Sequence, residues 1–205
     1  MPLEDRTRRF SRWPVTRALR SYIRRVMHMA SGERPLKMPV LETERLVLRK
    51  LDQKDLKDII AWGEFSAGQN AEVQAQEFLD YCFRECRERG IVPWGMQLKE
   101  TKAVVGNCGF PHITFKNHCG EVNYYVARRH RGQGLAPEAL KALLEFGFKD
   151  IGLARIQARC ELDNVSSARV MQKARLSFDG LIEDSLPLIE PSRKQKLYAI
   201  RDKDF

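Results

Sequence analysis

From about residue 40 onward, apolar positions follow two rhythms. One alternates every second residue over short runs; the other recurs every three or four residues over longer ones. The first predicts strands at Leu46 to Leu51, at Trp94 to Leu98 (Trp94, Met96 and Leu98 on one side), at Ala103 to Phe110 and at Glu121 to Ala127. The second predicts helices over Asp55 to Trp62 and Ala71 to Arg89, where Phe78, Tyr81, Cys82 and Cys86 share a face. It predicts another helix in which Leu140, Leu143, Leu144 and Gly147 line one side. The cleanest alternation is Arg155 to Leu162: Ile156, Ala158, Cys160 and Leu162 face one way, and Arg155, Gln157, Arg159 and Glu161 the other. A helix over Asn164 to Ala174 follows, with Asp163 or Asn164 as its cap. Strands near Ser177 to Ile182 and Lys194 to Ile200 finish the chain. Strands interleaved with helices make this an α/β domain.

The first 39 residues differ. Their first dozen are Arg-rich, and Val15 to Met29 has a helical pattern with Leu19, Tyr22, Ile23, Val26 and Met27 on one face and arginines on much of the rest. Ser31, Gly32 and Pro35 mark a linker, so the chain divides into an extension, 1–39, and a domain, 40–205. Charge reinforces that division: the extension carries +7 of the net +9. A basic amphipathic helix can dock on an anionic surface such as rRNA or lipid, serve as a transit peptide, or pack on its own domain or a second subunit of a homodimer.

Composition adds limits. With 205 residues, 43% hydrophobic and 31% charged, the chain suits one globular domain plus the extension. No apolar run approaches the roughly 20 residues of a membrane span. Five cysteines without a CxxC pair suggest reduced thiols and a cytoplasmic setting. The spacing of Cys108, His112, His118 and Cys119 matches no usual zinc frame, so no metal is expected.

Chemistry concentrates between Glu121 and Glu138. The strand ending at Ala127 runs into Arg129-His130-Arg131-Gly132-Gln133-Gly134, and a helical pattern follows at once. Loop and first-turn N–H groups there can converge on a phosphate, and the helix dipole favours the anion. Gly132 and Gly134 permit positive φ and close approach. Three arginines and a histidine add positive charge. The loop lacks the Gly-Lys-Ser/Thr of a P-loop and the third glycine of a dinucleotide fingerprint, since position 137 is proline. An ordinary basic surface turn is the simpler alternative.

Further motifs narrow the choice. Arg129-x-x-Gly132-x-Gly134 resembles the acyl-CoA pyrophosphate loop of the GNAT N-acetyltransferases. Asn164-x-x-Ser167 followed by Lys173 resembles the RimJ/RimL branch, the ribosomal-protein N-acetyltransferase type. Leu41 to Arg49, Val105 to Phe110 and Lys196 to Ile200 are also similar to that branch, so the resemblance covers roughly residues 40–202. It implies a GNAT acyl-CoA N-acyltransferase fold with a mixed central sheet flanked by helices, and acetyl-CoA as co-substrate. It further implies that main-chain groups of Tyr124 and Val126 bond the pantetheine arm, with the Val126 amide as donor to the thioester oxygen. Arg129, Arg131, Gly132, Gln133, Gly134, Leu135 and Ala136 would hold the phosphates, and Asn164 would bond the arm from the other side. An attacking amine must lose a proton, and the resemblance implies a strand carboxylate near this place as base, commonly through water, which makes Glu121 the candidate; a solvated strand-end glutamate in an ion pair is its alternative reading. Ser167 is the candidate donor to the departing sulfur, with first-turn capping as its alternative role and Tyr198 as a second candidate donor.

Two positions depart from the family pattern. Arg175 stands where a glycine would take the left-handed conformation after a helix, and Met171, which cannot donate a proton, stands where many members place a tyrosine as the acid beside the CoA sulfur. The resemblance is compatible with a protein N-terminal amine as acceptor, with a small amine such as an amino sugar, polyamine or antibiotic, or with a non-catalytic acyl-CoA-binding module. RNA binding through the extension is a further alternative, but no aromatic-basic RNA motif accompanies it. Acceptor choice is expected in loops at Trp62 to Asn70, Pro111 to Cys119 and Leu186 to Arg193.

Overall fold

A computed structural model describes residues 38–62, 70–89, 93–183 and 194–205. The extension's predicted helix, and most of the loops after Trp62 and around Leu186 to Arg193, lie outside those residues. The strands are β1 (Leu41–Glu42), β2 (Leu46–Lys50), β3 (Trp94–Leu98), β4 (Val104–Thr114), β5 (Cys119–Val126), β6 (Arg155–Glu161), β7 (Ser177–Glu183) and β8 (Lys194–Arg201). The helices are α1 (Leu56–Ile60), α2 (Ala71–Arg89), α3 (Leu135–Lys149) and α4 (Val165–Lys173).

All eight strands form one sheet in the order β1-β2-β3-β4-β5-β6-β8-β7. Every pairing is antiparallel except β5 with β6, which is parallel. The mixed sheet flanked by helices is the expected GNAT architecture.

Each face of the sheet has its own core. On one, α3 lays Leu140, Leu143, Leu144 and Gly147 against β5 and β6, and α4 adds Ala168 and Met171. The close approach of α3 depends on Gly147, where a Cβ would lie 2.6 Å from Ile156 Cδ1 and 2.9 Å from Phe110 Cζ. On the other face, α1 and α2 bury Ile59, Phe78, Leu79 and Cys82 with Leu51, Val104 and Ala127. Trp62 donates from Nε1 to Val104 O (2.9 Å) and packs on Phe78 and Tyr125. The side chain of Cys86 lies outside the described residues.

Three expectations are revised. The helix expected from Asp55 starts one residue later, because Asp55 closes a 3-10 turn over Gln53–Asp55. Its carboxylate accepts from the Asp52 amide (2.8 Å) and from Arg49 Nη2 (2.7 Å), a capping box sealed by a buried ion pair. Pro111 to Cys119 is not a loop throughout, since β4 continues to Thr114 and pairs with Cys119, Gly120 and Glu121. A register shift between Gly109 and His112 hid that continuity, as a bulge breaks the period-two pattern. Leu162 does not join Ile156, Ala158 and Cys160 in the core; it lies beyond the end of β6 and is exposed.

Candidate active site

The site grows where two neighbouring strands part. β5 follows β4, while β6 pairs with β8 along its whole length, from Arg155–Arg201 to Glu161–Gln195. The parallel β5–β6 pairing lasts only from Cys119–Arg155 to Glu121–Gln157. Beyond Glu121 the strands part, and β5 has an open edge. Ala127 N–H donates to Val105 O (2.9 Å), which fixes the alternation along β5. Tyr125 and Asn123 direct their main-chain groups to β4; Val126 and Tyr124 direct theirs into the gap. Strand-edge N–H and C=O groups require partners, which water or an extended chain carrying amides can supply.

The loop after β5 runs directly into the N-terminus of α3. Gly132 and Gly134 have φ of 78° and 79°, and Gly134 caps α3. A Cβ at Gly132 would meet nothing within 4 Å, so that glycine serves conformation and approach rather than packing. Leu135 is buried and anchors the first turn of α3, while Ala136 is half-buried beside it. Arg129 and Gln133 are exposed. Arg131 behaves differently from a free phosphate ligand: its Nε donates to Val126 O (2.8 Å), and its guanidinium lies over the Tyr125 ring, 5.6 Å from the centroid. His130 adds no positive charge. Burial and then Arg129 hold its ring below the ordinary histidine range, and its Nε2 accepts from Arg129 Nε (3.0 Å).

The remaining candidates lie on opposite faces of the gap. Glu121 sits where the strands part, only 8% exposed, on the α1–α2 face. Its carboxylate accepts from Arg159 Nη2 (3.0 Å) and Gln157 Nε2 (3.3 Å), so β6 supplies partners for a carboxylate of β5. Burying a carboxylate without such partners would be costly. On the α3–α4 face, Tyr124 and Ser167 meet: their hydroxyls are 2.7 Å apart, and Tyr124 OH lies 3.0 Å from Ser167 O. Burial, partly offset by the Ser167 hydrogen bond, pushes the Tyr124 phenol well above its ordinary range. It remains a proton-bearing donor.

Asn164 caps α4, its Oδ1 accepting from Ser167 N–H (3.0 Å) and from Ser166 Oγ (2.9 Å). The cap is therefore Asn164 rather than Asp163, and Ser167 uses its hydroxyl on Tyr124. Met171 is fully buried in the core, and Tyr198 is buried against Phe178 with ring centroids 5.7 Å apart. The Tyr124 side chain was missed in the sequence, where only its main chain was singled out. Its signal was its parity with Val122 and Val126, which turns it toward α4.

Comparison with known proteins agrees with this fold. The family model described as an acetyltransferase (GNAT) domain matches residues 45–177. The p20 protein of Bacillus licheniformis, described as an uncharacterized N-acetyltransferase, is 30% identical over 156 residues, covering 72% of this chain and 87% of that protein. The ribosomal-protein-serine acetyltransferase of Escherichia coli K12 is 28% identical over 112 residues, covering 55% of this chain and 62% of that protein. Mycobacterium smegmatis RimJ, solved with CoA-disulfide, shares the fold with a TM-score of 0.68 at 20% identity, over 82% of this chain and 89% of that one.

Proposed function

Because this chain belongs to the GNAT acetyltransferase family, and so uses acetyl-CoA to acetylate an amine, we propose that its acceptor is the N-terminal amine of a protein. Acetyl-CoA supplies the activated acetyl group: a C–N bond to the acceptor replaces the C–S bond of the thioester. In this reading Glu121 receives, directly or through water, the proton that the attacking amine sheds. The Val126 N–H donates to the thioester oxygen as negative charge develops there. Ser167 gives a proton to the departing sulfur, and Tyr124 stands behind it as a second donor. Gly132 to Ala136 hold the diphosphate with main-chain N–H groups, while Arg129 and Arg131 contribute charge. Asn164 bonds the arm from α4.

The observation that carries the catalytic part is the parting of β5 and β6. It leaves a partnered, buried carboxylate on one face and a hydroxyl pair on the other. The protein acceptor is supported by the likeness to the ribosomal-protein-serine enzyme. It is also supported by the +7 extension, which would steer the enzyme toward an anionic surface such as a ribosome in the cytoplasm.

The test uses the full chain and isotopically labelled acetyl-CoA in a lysate of cells lacking this protein. Label is expected in the macromolecular fraction, with mass spectrometry locating acetyl on an N-terminal residue. Label confined to small molecules would replace the protein acceptor with a small amine.

A further inference from the structure

The turn between β1 and β2 reaches across the sheet to the phosphate loop, more than eighty residues away in sequence. Glu138, in the first turn of α3, accepts four hydrogen bonds from it. Thr43 Oγ1 (2.5 Å) and the Arg45 amide (2.8 Å) reach Oε1, and Arg45 Nε (2.7 Å) and Nη2 (2.7 Å) reach Oε2. The remaining guanidinium nitrogen, Nη1, donates to Gln133 O at 2.8 Å. Arg45 Nη2 is also the atom nearest to where a Cβ on Gly134 would stand, at 3.4 Å.

Two features make this more than a surface ion pair. The first is electrostatic. A carboxylate in the first turn of α3 suits the helix dipole, yet stands where an incoming diphosphate would be repelled. Burial pushes the Glu138 carboxyl up, but the bonds from Thr43 and Arg45 outweigh it and hold the group below its ordinary range. It therefore stays ionised, and Arg45 cancels its charge at contact distance. The second is directional. Gln133 lies between the two left-handed glycines, and N–H groups on either side can converge on an anion only if the intervening carbonyl points away. Arg45 Nη1 occupies that carbonyl. The arginine side chain is 45% exposed, so it is not filling the core, and exposed ion pairs by themselves contribute little to stability.

We propose that Arg45 is a positioning residue for the CoA diphosphate: it neutralises Glu138 and turns the Gln133 carbonyl outward, presenting the loop N–H groups to the anion. This rests on the reading of Gly132 to Ala136 as the diphosphate loop.

The experiment compares acetyl-CoA with S-acetylpantetheine, which has the thioester and arm but no diphosphate. Affinity and kcat/KM are measured on the full chain for wild type, Arg45→Met, Arg45→Lys and Gly132→Glu. Arg45→Met is expected to weaken acetyl-CoA binding about tenfold while kcat/KM for S-acetylpantetheine stays at the wild-type value. Arg45→Lys should recover only a minor part, because an ammonium lacks the planar fork that spans a carboxylate and a carbonyl. Adding Glu138→Gln to Arg45→Met should restore part of the affinity by removing the unpaired charge. Equal losses with both donors would reduce Arg45 to a general structural role and overturn the proposal. So would full acetyl-CoA affinity in Arg45→Met while Gly132→Glu loses it; in that case the loop reading would survive. If Gly132→Glu itself binds acetyl-CoA normally, the loop reading falls and the role of Arg45 falls with it.

Discussion

Arg175 shows how one residue can violate a local preference and still be accommodated. It has φ of 73° directly after the cap of α4. Its N–H donates to Gln172 O (2.9 Å), and Leu176 N–H donates to Met171 O (3.0 Å). That pair of bonds defines a helix end in which the left-handed position belongs to glycine, and the buried contact side is completed by Leu176 and Met171. A non-glycine side chain there costs on the order of 1 kcal/mol. Arg175 Nη1 donates to Phe205 O at 2.9 Å, an exposed bond that offsets a fraction of that cost. Arg175→Gly is therefore expected to stabilise the protein by roughly 0.5–1 kcal/mol, read as a higher urea midpoint with an unchanged slope.

At the scale of elements, the gap depends on β5 being held tightly by β4 on one side while β6 leaves it on the other. Gly106 of β4 faces Val126, and a Cβ there would lie 2.1 Å from Tyr125 O and 3.0 Å from Val126 Cα. Both are backbone atoms, so no rotamer change can relieve the clash. Gly106→Ala must push β5 toward the gap, at the residues whose main-chain groups line it. The expected result is a loss of about 1–3 kcal/mol of stability, seen as a lower Tm, together with weaker acetyl-CoA binding by titration. The same substitution at Gly132, which meets no neighbour, should leave packing untouched and act through backbone conformation alone.

At the scale of the whole molecule, the Thr43–Arg45–Glu138 contact ties the first hairpin to the central helix and makes part of the stability pH-dependent. Glu138 has its folded-state pKa lowered by the Thr43 and Arg45 bonds despite an opposing burial effect. A depressed carboxylate contributes fully above the unfolded value, about 4.3, and loses that contribution as pH falls through the lower folded value. Tm measured from pH 7 to pH 3 should show a constant gap between wild type and Glu138→Gln above about pH 5, closing as the solution becomes more acidic. Among the described residues, no helix is long and apolar enough to cross a membrane.

Much of this was legible in the residues themselves. Strand and helix periods located nearly every element, because burial on one face imposes a two- or 3.6-residue repeat whatever the neighbours are. The glycine loop after β5 was legible because positive φ demands glycine and a helix start follows immediately. The continuation of β4 was hidden by its bulge, and the single-turn start before α1 by a capping box that resembles helix. What tertiary structure alone decided were the relations across the sheet. These include the parting of β5 and β6, the meeting of Glu121 with Arg159, the meeting of Tyr124 with Ser167, and the reach of Arg45 to the loop. Local pattern specifies which face a side chain takes and how the chain turns. It carries no record of which distant strand lies alongside, and at those junctions separate stretches of chain supply one another's hydrogen-bond partners and charges.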